Sequence, residues 1–135
     1  MDTSSKNVMT VYNSRNNIID ILEKRGFNVS EYNEFSINDI SLMINNKQLD
    51  LLLTDENNNK IFVKYYLGKS LRPNNITDLV EDLFNLEEVL NKNDELLIIS
   101  KDDINDSIRS TLVYLWDTNQ THVNIISINR LQFNI

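Results

Sequence analysis

Asp50 and Lys64 are the residues whose types and spacing come nearest to a catalytic pattern. Asp50 falls in an apolar run, Leu49 to Thr54, and Lys64 in a second run, Ile61 to Tyr66. A strand-borne Asp followed on the next strand by Glu-x-Lys is a known way to cut phosphodiesters. The two carboxylates hold magnesium and the lysine orients the attacking water, as in many metal-dependent nucleases. Here the triplet is Phe62-Val63-Lys64. A phenyl ring cannot ligate magnesium, and one carboxylate makes a poor site. A second acid would have to come from Glu34, Asp39 or Asp55. The simpler account makes Asp50 a strand-edge residue and Lys64 a solvated one, leaving the layout of a nuclease without its chemistry.

Other chemistry is sparse. The single histidine, His122, lies beside a predicted strand, and the chain has no cysteine. A zinc site would then need carboxylates around one imidazole, against the usual preference for several Cys or His ligands. There is no Walker loop, no Gly-rich dinucleotide turn and no nucleophile elbow. Trp116 ends a helical stripe and is expected in the core. Tyr65 and Tyr66 are expected as sheet residues. No cofactor is expected.

The elements that must position these residues follow from periodicity. Val8, Val11, Tyr12, Ile18, Ile19 and Leu22 recur at helical spacing and predict a helix over about 5–25. Asp2 to Ser5 are its candidate N-caps, and Gly26 stops it after Lys24 and Arg25. A short extended segment, Phe27 to Val29, follows. Ser36-Ile37-Asn38-Asp39 reads as a capping box opening a second helix, with Ile37, Ile40, Leu42, Met43 and Ile44 available for burial.

Leu49 to Thr54 and Ile61 to Tyr66 read as a hairpin around Asp55–Asn59. The first strand is nearly all apolar, as for a strand covered on both faces. The second alternates. Leu67 to Ile76 reads as a loop, with Thr77 capping a third helix whose stripe is Leu79, Val80, Leu83, Leu86 and Leu90. Glu95 to Ser100 is an apolar strand. Asp102 or Asp103 caps a fourth helix through about Trp116, with Ile104, Ile108, Leu112 and Leu115 on one face. Val123 to Ile128 reads as a strand, and Leu131 to Ile135 as a last short one. Strand–helix–strand alternation implies parallel crossovers, so the expected fold is an α/β three-layer domain with a mixed sheet flanked by helices.

Composition bounds the function. The 135 residues fit one domain, and 41% hydrophobic with 24% charged residues is ordinary for a folded chain. Thirteen basic residues against twenty acidic ones give a net charge of -7, which argues against a free-standing nucleic-acid binder and points to a protein partner. No apolar stretch is long enough to span a membrane, and the first residues lack the apolar core of a secretory signal. The expectation is a soluble intracellular protein. Abundant Asn, Ile and Lys suggest an AT-rich genome, such as that of a large DNA virus or a protist.

Taken in order, several stretches resemble one family. Tyr12-Asn13-Ser14-Arg15 with Glu23-Lys24-Arg25-Gly26-Phe27-Asn28-Val29 is similar to its first helix and Arg-Gly-aromatic step. Asp50-Leu51-Leu52-Leu53, Ile61-Phe62-Val63-Lys64-Tyr65 and Leu96-Leu97-Ile98-Ile99 are similar to its strands. Leu131-Gln132-Phe133-Asn134-Ile135 is similar to the start of its Val-Asn-Ile-Thr segment. The family is the N-terminal jaw domain of subunit 5 of eukaryotic-type DNA-directed RNA polymerase.

The resemblance implies a restriction-endonuclease-like fold over 1–135 without catalytic carboxylates, which agrees with the Asp50, Phe62 and Lys64 layout. It implies a non-catalytic lower jaw beside downstream DNA in transcription. The implied partners are the largest subunit and other RNA polymerase subunits, with weak DNA contact and docking of transcription factors. Membrane is not among them. The family's C-terminal assembly domain is missing, so the chain reads as a fragment or a shortened version. Localisation would be the nucleus for a cellular protein, and the virion or a cytoplasmic factory for a viral one.

The family's Thr-Pro-Ser-Ala-like turn before its last helix corresponds to 101–107, which lacks the proline and carries Asp102, Asp103 and Asp106. That departure weakens the case for close DNA contact there. Lys101 and Arg109 flank it, and Lys60, Lys64, Lys69 and Arg72 form the other basic concentration. The candidate phosphate contacts are Lys101, Arg109, Lys69 and Arg72, because phosphate contact needs only positive charge and reach. Two alternatives stand beside the jaw: a degenerate or active nuclease-like domain built on Asp50, and an acidic protein-interaction module.

Overall fold

The computed structural model describes residues 5–32 and 35–132, and of residues 5–7 the backbone alone. Its elements in order are α1 (Ser5–Lys24), α2 (Ile37–Asn45), β1 (Leu51–Thr54), β2 (Lys60–Tyr66), α3 (Pro73–Val80), β3 (Glu95–Ser100), α4 (Asp106–Asn119) and β4 (His122–Ser127). A π-helical turn, Glu81–Leu86, continues α3, and a 3-10 turn, Ile128–Leu131, follows β4. The sheet order is β1-β2-β3-β4, with β1 antiparallel to β2 and the other two pairings parallel. Helix, helix, hairpin, helix, strand, helix, strand is the order expected from periodicity, and the mixed α/β architecture is as expected.

Strand alternation sorts the core into two layers. Leu51, Leu53, Ile61, Val63, Tyr65, Leu97 and Ile99 pack against Val11, Ile18, Ile19 and Leu22 of α1 and Ile40 of α2. Leu96, Ile98 and Val123 pack on the opposite face against Ile76 and Val80 of α3 and Ile108 and Leu115 of α4. Both parallel crossovers thus lay their helices on one face, and α1 and α2 cover the other. β3, central and fully buried along its length, separates the two layers.

Local signals explain most boundaries. Gly26 at φ +98° ends α1, which lets Gly26 N donate to Glu23 O and Phe27 N donate to Leu22 O, both at 3.0 Å. Ser36 Oγ accepts from Asp39 N at 3.1 Å and Asp39 Oδ2 accepts from Ser36 N at 2.9 Å, the capping box that the sequence predicts. The Asp55–Asn59 turn is held by Asp55 Oδ1, which accepts from Asn57 N and Asn59 N at 2.9 Å.

Seven expectations are corrected. β1 is an edge strand covered on one face only, with Leu52 exposed at 39%. α3 begins at Pro73, not Thr77: proline fits the first helical position, and Asn75 Oδ1 accepts from Arg72 N at 2.9 Å. Leu86 leaves the core stripe, at 68% exposed, because the wider π turn rotates it away from the Leu83 face. The cap of α4 is Asn105, which accepts from Ile108 N, rather than Asp102 or Asp103. Trp116 is 47% exposed and lies against His122, ring centroids 5.4 Å apart, rather than in the core. In α2 only Ile40 is fully buried, while Ile37 and Leu42 face outward. Leu131 belongs to the buried 3-10 turn, not a strand. The N-caps expected at Asp2 to Ser4, the acid Glu34 and the strand end 133–135 lie outside the described residues.

Candidate functional site

Asp50 immediately precedes β1 and bends back over β2. Its Oδ1 accepts from Tyr65 N at 2.9 Å, and its Oδ2 pairs with Lys64 Nζ at 3.0 Å. The strand layout anticipated from the sequence is therefore present, and the two residues meet. Their meeting is a half-exposed ion pair in which both carboxylate oxygens already have partners. Phe62 stands two residues before Lys64 and packs with the α3–α4 layer. Asp39 is committed to its capping box and Asp55 to its turn. Among the described residues no group of three His, Cys, Asp or Glu could hold a metal ion.

Behind this pair lies a polar feature buried in the α1 face. Ser14 and Arg15 of α1 are 0% and 1% exposed. Ser14 Oγ and Tyr65 Oη are hydrogen-bonded at 3.1 Å. Arg15 Nη1 donates to Tyr32 O at 3.0 Å, and its guanidinium lies 4.6 Å from the Phe35 ring centre. Nothing in the sequence flags Arg15, because arginine is rarely buried without a partner. Burial lowers the Arg15 pKa and pushes the Tyr65 hydroxyl up to about 12.

That shift makes stability depend on alkaline pH. An unfolded tyrosine ionises near 10 and the folded one near 12, so above pH 10 the unfolded chain sheds a proton that the native state keeps. The contribution is complete below pH 10 and is lost as pH rises through 12, by at most about 3 kcal/mol. Denaturant melts of wild type and Tyr65→Phe across pH 9–12 should differ by a constant amount below pH 10, where the lost Ser14 hydrogen bond is the difference, and by a pH-dependent amount above it.

The four candidate phosphate contacts lie together at one end of the sheet. Tyr66 pairs with Ser100 at the carboxyl ends of β2 and β3. The loop carrying Lys69 and Arg72 and the loop carrying Lys101 therefore leave the sheet side by side, and Arg109 sits in the first turn of α4 beyond them. Ser70, Ser100, Asp102 and Asn105 line a small cleft of about 120 Å³ between the loops. All four cations are exposed. Arg109 is paired with Asp106 at 3.2 Å; Lys69, Arg72 and Lys101 have no ion pair among the described residues.

Arg130 joins this end and is the member that sequence reasoning missed. It pairs with Asp103 at 2.9 Å, and only the β3–β4 pairing reveals its position. The other basic concentration does not hold together. Lys60 donates to Val89 O at the opposite end of β2, roughly 20 Å along the strand from Lys69. Lys64 is committed to Asp50.

No helix among the described residues is long and apolar enough to cross a membrane. Compared with known proteins, the chain matches no family model and no curated protein.

Proposed function

We propose that the chain is a non-catalytic jaw domain of a multisubunit DNA-directed RNA polymerase, of the subunit 5 kind, with a restriction-endonuclease-like fold. The observation that carries this reading is the Asp50–Phe62–Lys64 layout. Asp50, just before β1, meets Lys64 of the adjacent β2 in a mixed sheet, and Phe62 holds the position of the second carboxylate in the Glu-x-Lys pattern. That arrangement supports reading the pair as the remnant of a phosphodiester-cutting site without its metal-binding capacity. The ordered resemblance across most of the chain supports the same assignment.

In this role the carboxyl end of the sheet is the face toward DNA. Lys69, Arg72 and Lys101 contact phosphates without reading bases. The net charge of -7 keeps that contact weak in the isolated domain. Fluorescence anisotropy with a duplex DNA at several salt concentrations checks this. Binding should be weak and salt-sensitive, and each of Lys69→Ala, Arg72→Ala and Lys101→Ala should lower the salt slope by about 1.

Assignment to the polymerase is tested separately. The tagged chain, alone and with any natural extension, should recover the largest polymerase subunits from its source. Recovery of none of them in either form would remove the assignment.

A further inference from the structure

The two edges of the sheet differ. The outer edge of β1 is covered: Phe27 bridges Asp55, Asn28 N donates to Thr54 O at 3.0 Å, and Tyr32 Oη meets both the N and O of Leu52. β4 pairs with β3 through an unbroken register, and among the described residues no other segment pairs with it. Its sequence, His122-Val123-Asn124-Ile125-Ile126-Ser127, contains no Lys, Asp, Glu, Pro or Gly. Natural edge strands are normally blunted by a charge, a proline or a bulge. β4 has none of these, so it presents a strand-pairing edge.

A second, independent feature says what fits there. Trp116 projects from α4 at the start of β4, against His122. At the other end of β4 is an open cleft of about 290 Å³, lined by Ile104, Arg109, Ile125, Ile126 and Arg130. A knob and a hole on the same surface, at opposite ends of one strand, are self-complementary under a two-fold axis.

We propose that β4 pairs antiparallel with β4 of a second copy, about an axis at Asn124. That axis sets position 122 opposite 126 and 123 opposite 125. Val123 then faces Ile125 of the second copy beneath the two α4 helices. Trp116, which rests on His122, is delivered to the cleft at Ile125 and Ile126, whose rim carries Arg109 and Arg130 in their ion pairs with Asp106 and Asp103. The charges agree. Arg109 and Asp117 lie symmetrically about Val113 on α4, each about 6 Å from it along the helix. The antiparallel arrangement sets Arg109 opposite Asp117 of the second copy and Val113, exposed at 58%, against itself. This inference does not depend on the polymerase assignment.

Sedimentation equilibrium of the whole chain over a wide concentration series tests it, with the emission of Trp116, the single tryptophan, followed in parallel. The expected result is a reversible monomer–dimer equilibrium in which the emission shifts to the blue as dimer forms. Trp116→Ala should raise the dissociation constant at least tenfold with an unchanged far-ultraviolet circular dichroism spectrum. Asp117→Arg should weaken the dimer, and the double variant Arg109→Asp, Asp117→Arg should restore it. A chain that stays monomeric at every concentration overturns the proposal and leaves the edge to an extended segment of another protein. A dimer indifferent to both Trp116→Ala and Asp117→Arg overturns it as well.

Discussion

Replacing Ile98 with alanine is expected to lower the free energy of unfolding by about 2–5 kcal/mol. Ile98 is 0% exposed at the middle of β3 and packs into the layer formed by α3 and α4. The loss has two parts, the transfer free energy of the deleted carbons and the cavity that a close-packed interior cannot fully close. Strand pairing on both sides fixes the β3 backbone, so collapse around the missing side chain is limited. Urea unfolding followed by circular dichroism measures the change as a lower midpoint with an unchanged slope. Leu52→Ala is the contrast. It lies on the open face of edge strand β1, and its cost should stay within about 0.5 kcal/mol. Equal losses at the two positions would mean that β1 is covered on both faces after all.

Asp94→Ala should cost about 3 kcal/mol or more. Asp94 is 3% exposed, and its two oxygens accept from Lys60 N and Asn91 N, each at 2.7 Å. The carboxylate ties the first residue of β2 to the turn that launches β3. Hydrogen bonds to a charged acceptor contribute about 1.5–3 kcal/mol each, and alanine leaves both part-buried donors without a partner. Asp94→Asn retains one acceptor oxygen and should fall between wild type and alanine in the same urea experiment. An alanine variant as stable as wild type would show that water replaces the carboxylate at no cost.

Local signals account for what the sequence made legible. Gly26, the Ser36–Asp39 box, the Asp55 turn and the apolar run Glu95–Ser100 each act within a few residues, and each appears where expected. The Asp50–Lys64 ion pair departs from the expectation of a solvated Lys64, because Asp50 at the start of β1 reaches the side chain on β2. What escaped depends on long-range geometry. Arg72-Pro73 looks like a loop until Pro73 is seen opening a helix. Leu86 and Trp116 have core-like residue types, yet a π turn turns the first outward and the second stands exposed against His122 at the start of β4. Arg15 carries a charge and is nonetheless enclosed by α1 and the Tyr32 and Phe35 rings. Arg130 reaches the basic end only because β4 runs parallel to β3.

The seam between α1 and the 3-10 turn bears on how the chain acquires its structure. Asn17 Nδ2 donates to Leu131 O at 2.6 Å, and Gln132 Nε2 donates to Thr10 O at 3.0 Å, across 114 and 122 residues of sequence. The parallel strands and their crossovers need only near neighbours along the chain, whereas α1 must wait for residues beyond β4. On a ribosome α1 is made before the 3-10 turn that it packs against. Until then its apolar stripe, Val8 to Leu22, lacks part of its final cover, and loop closure on this scale is what slows folding. The native state thus carries a clasp between the two ends of the described chain, and one half of it is synthesised only after every strand of the sheet.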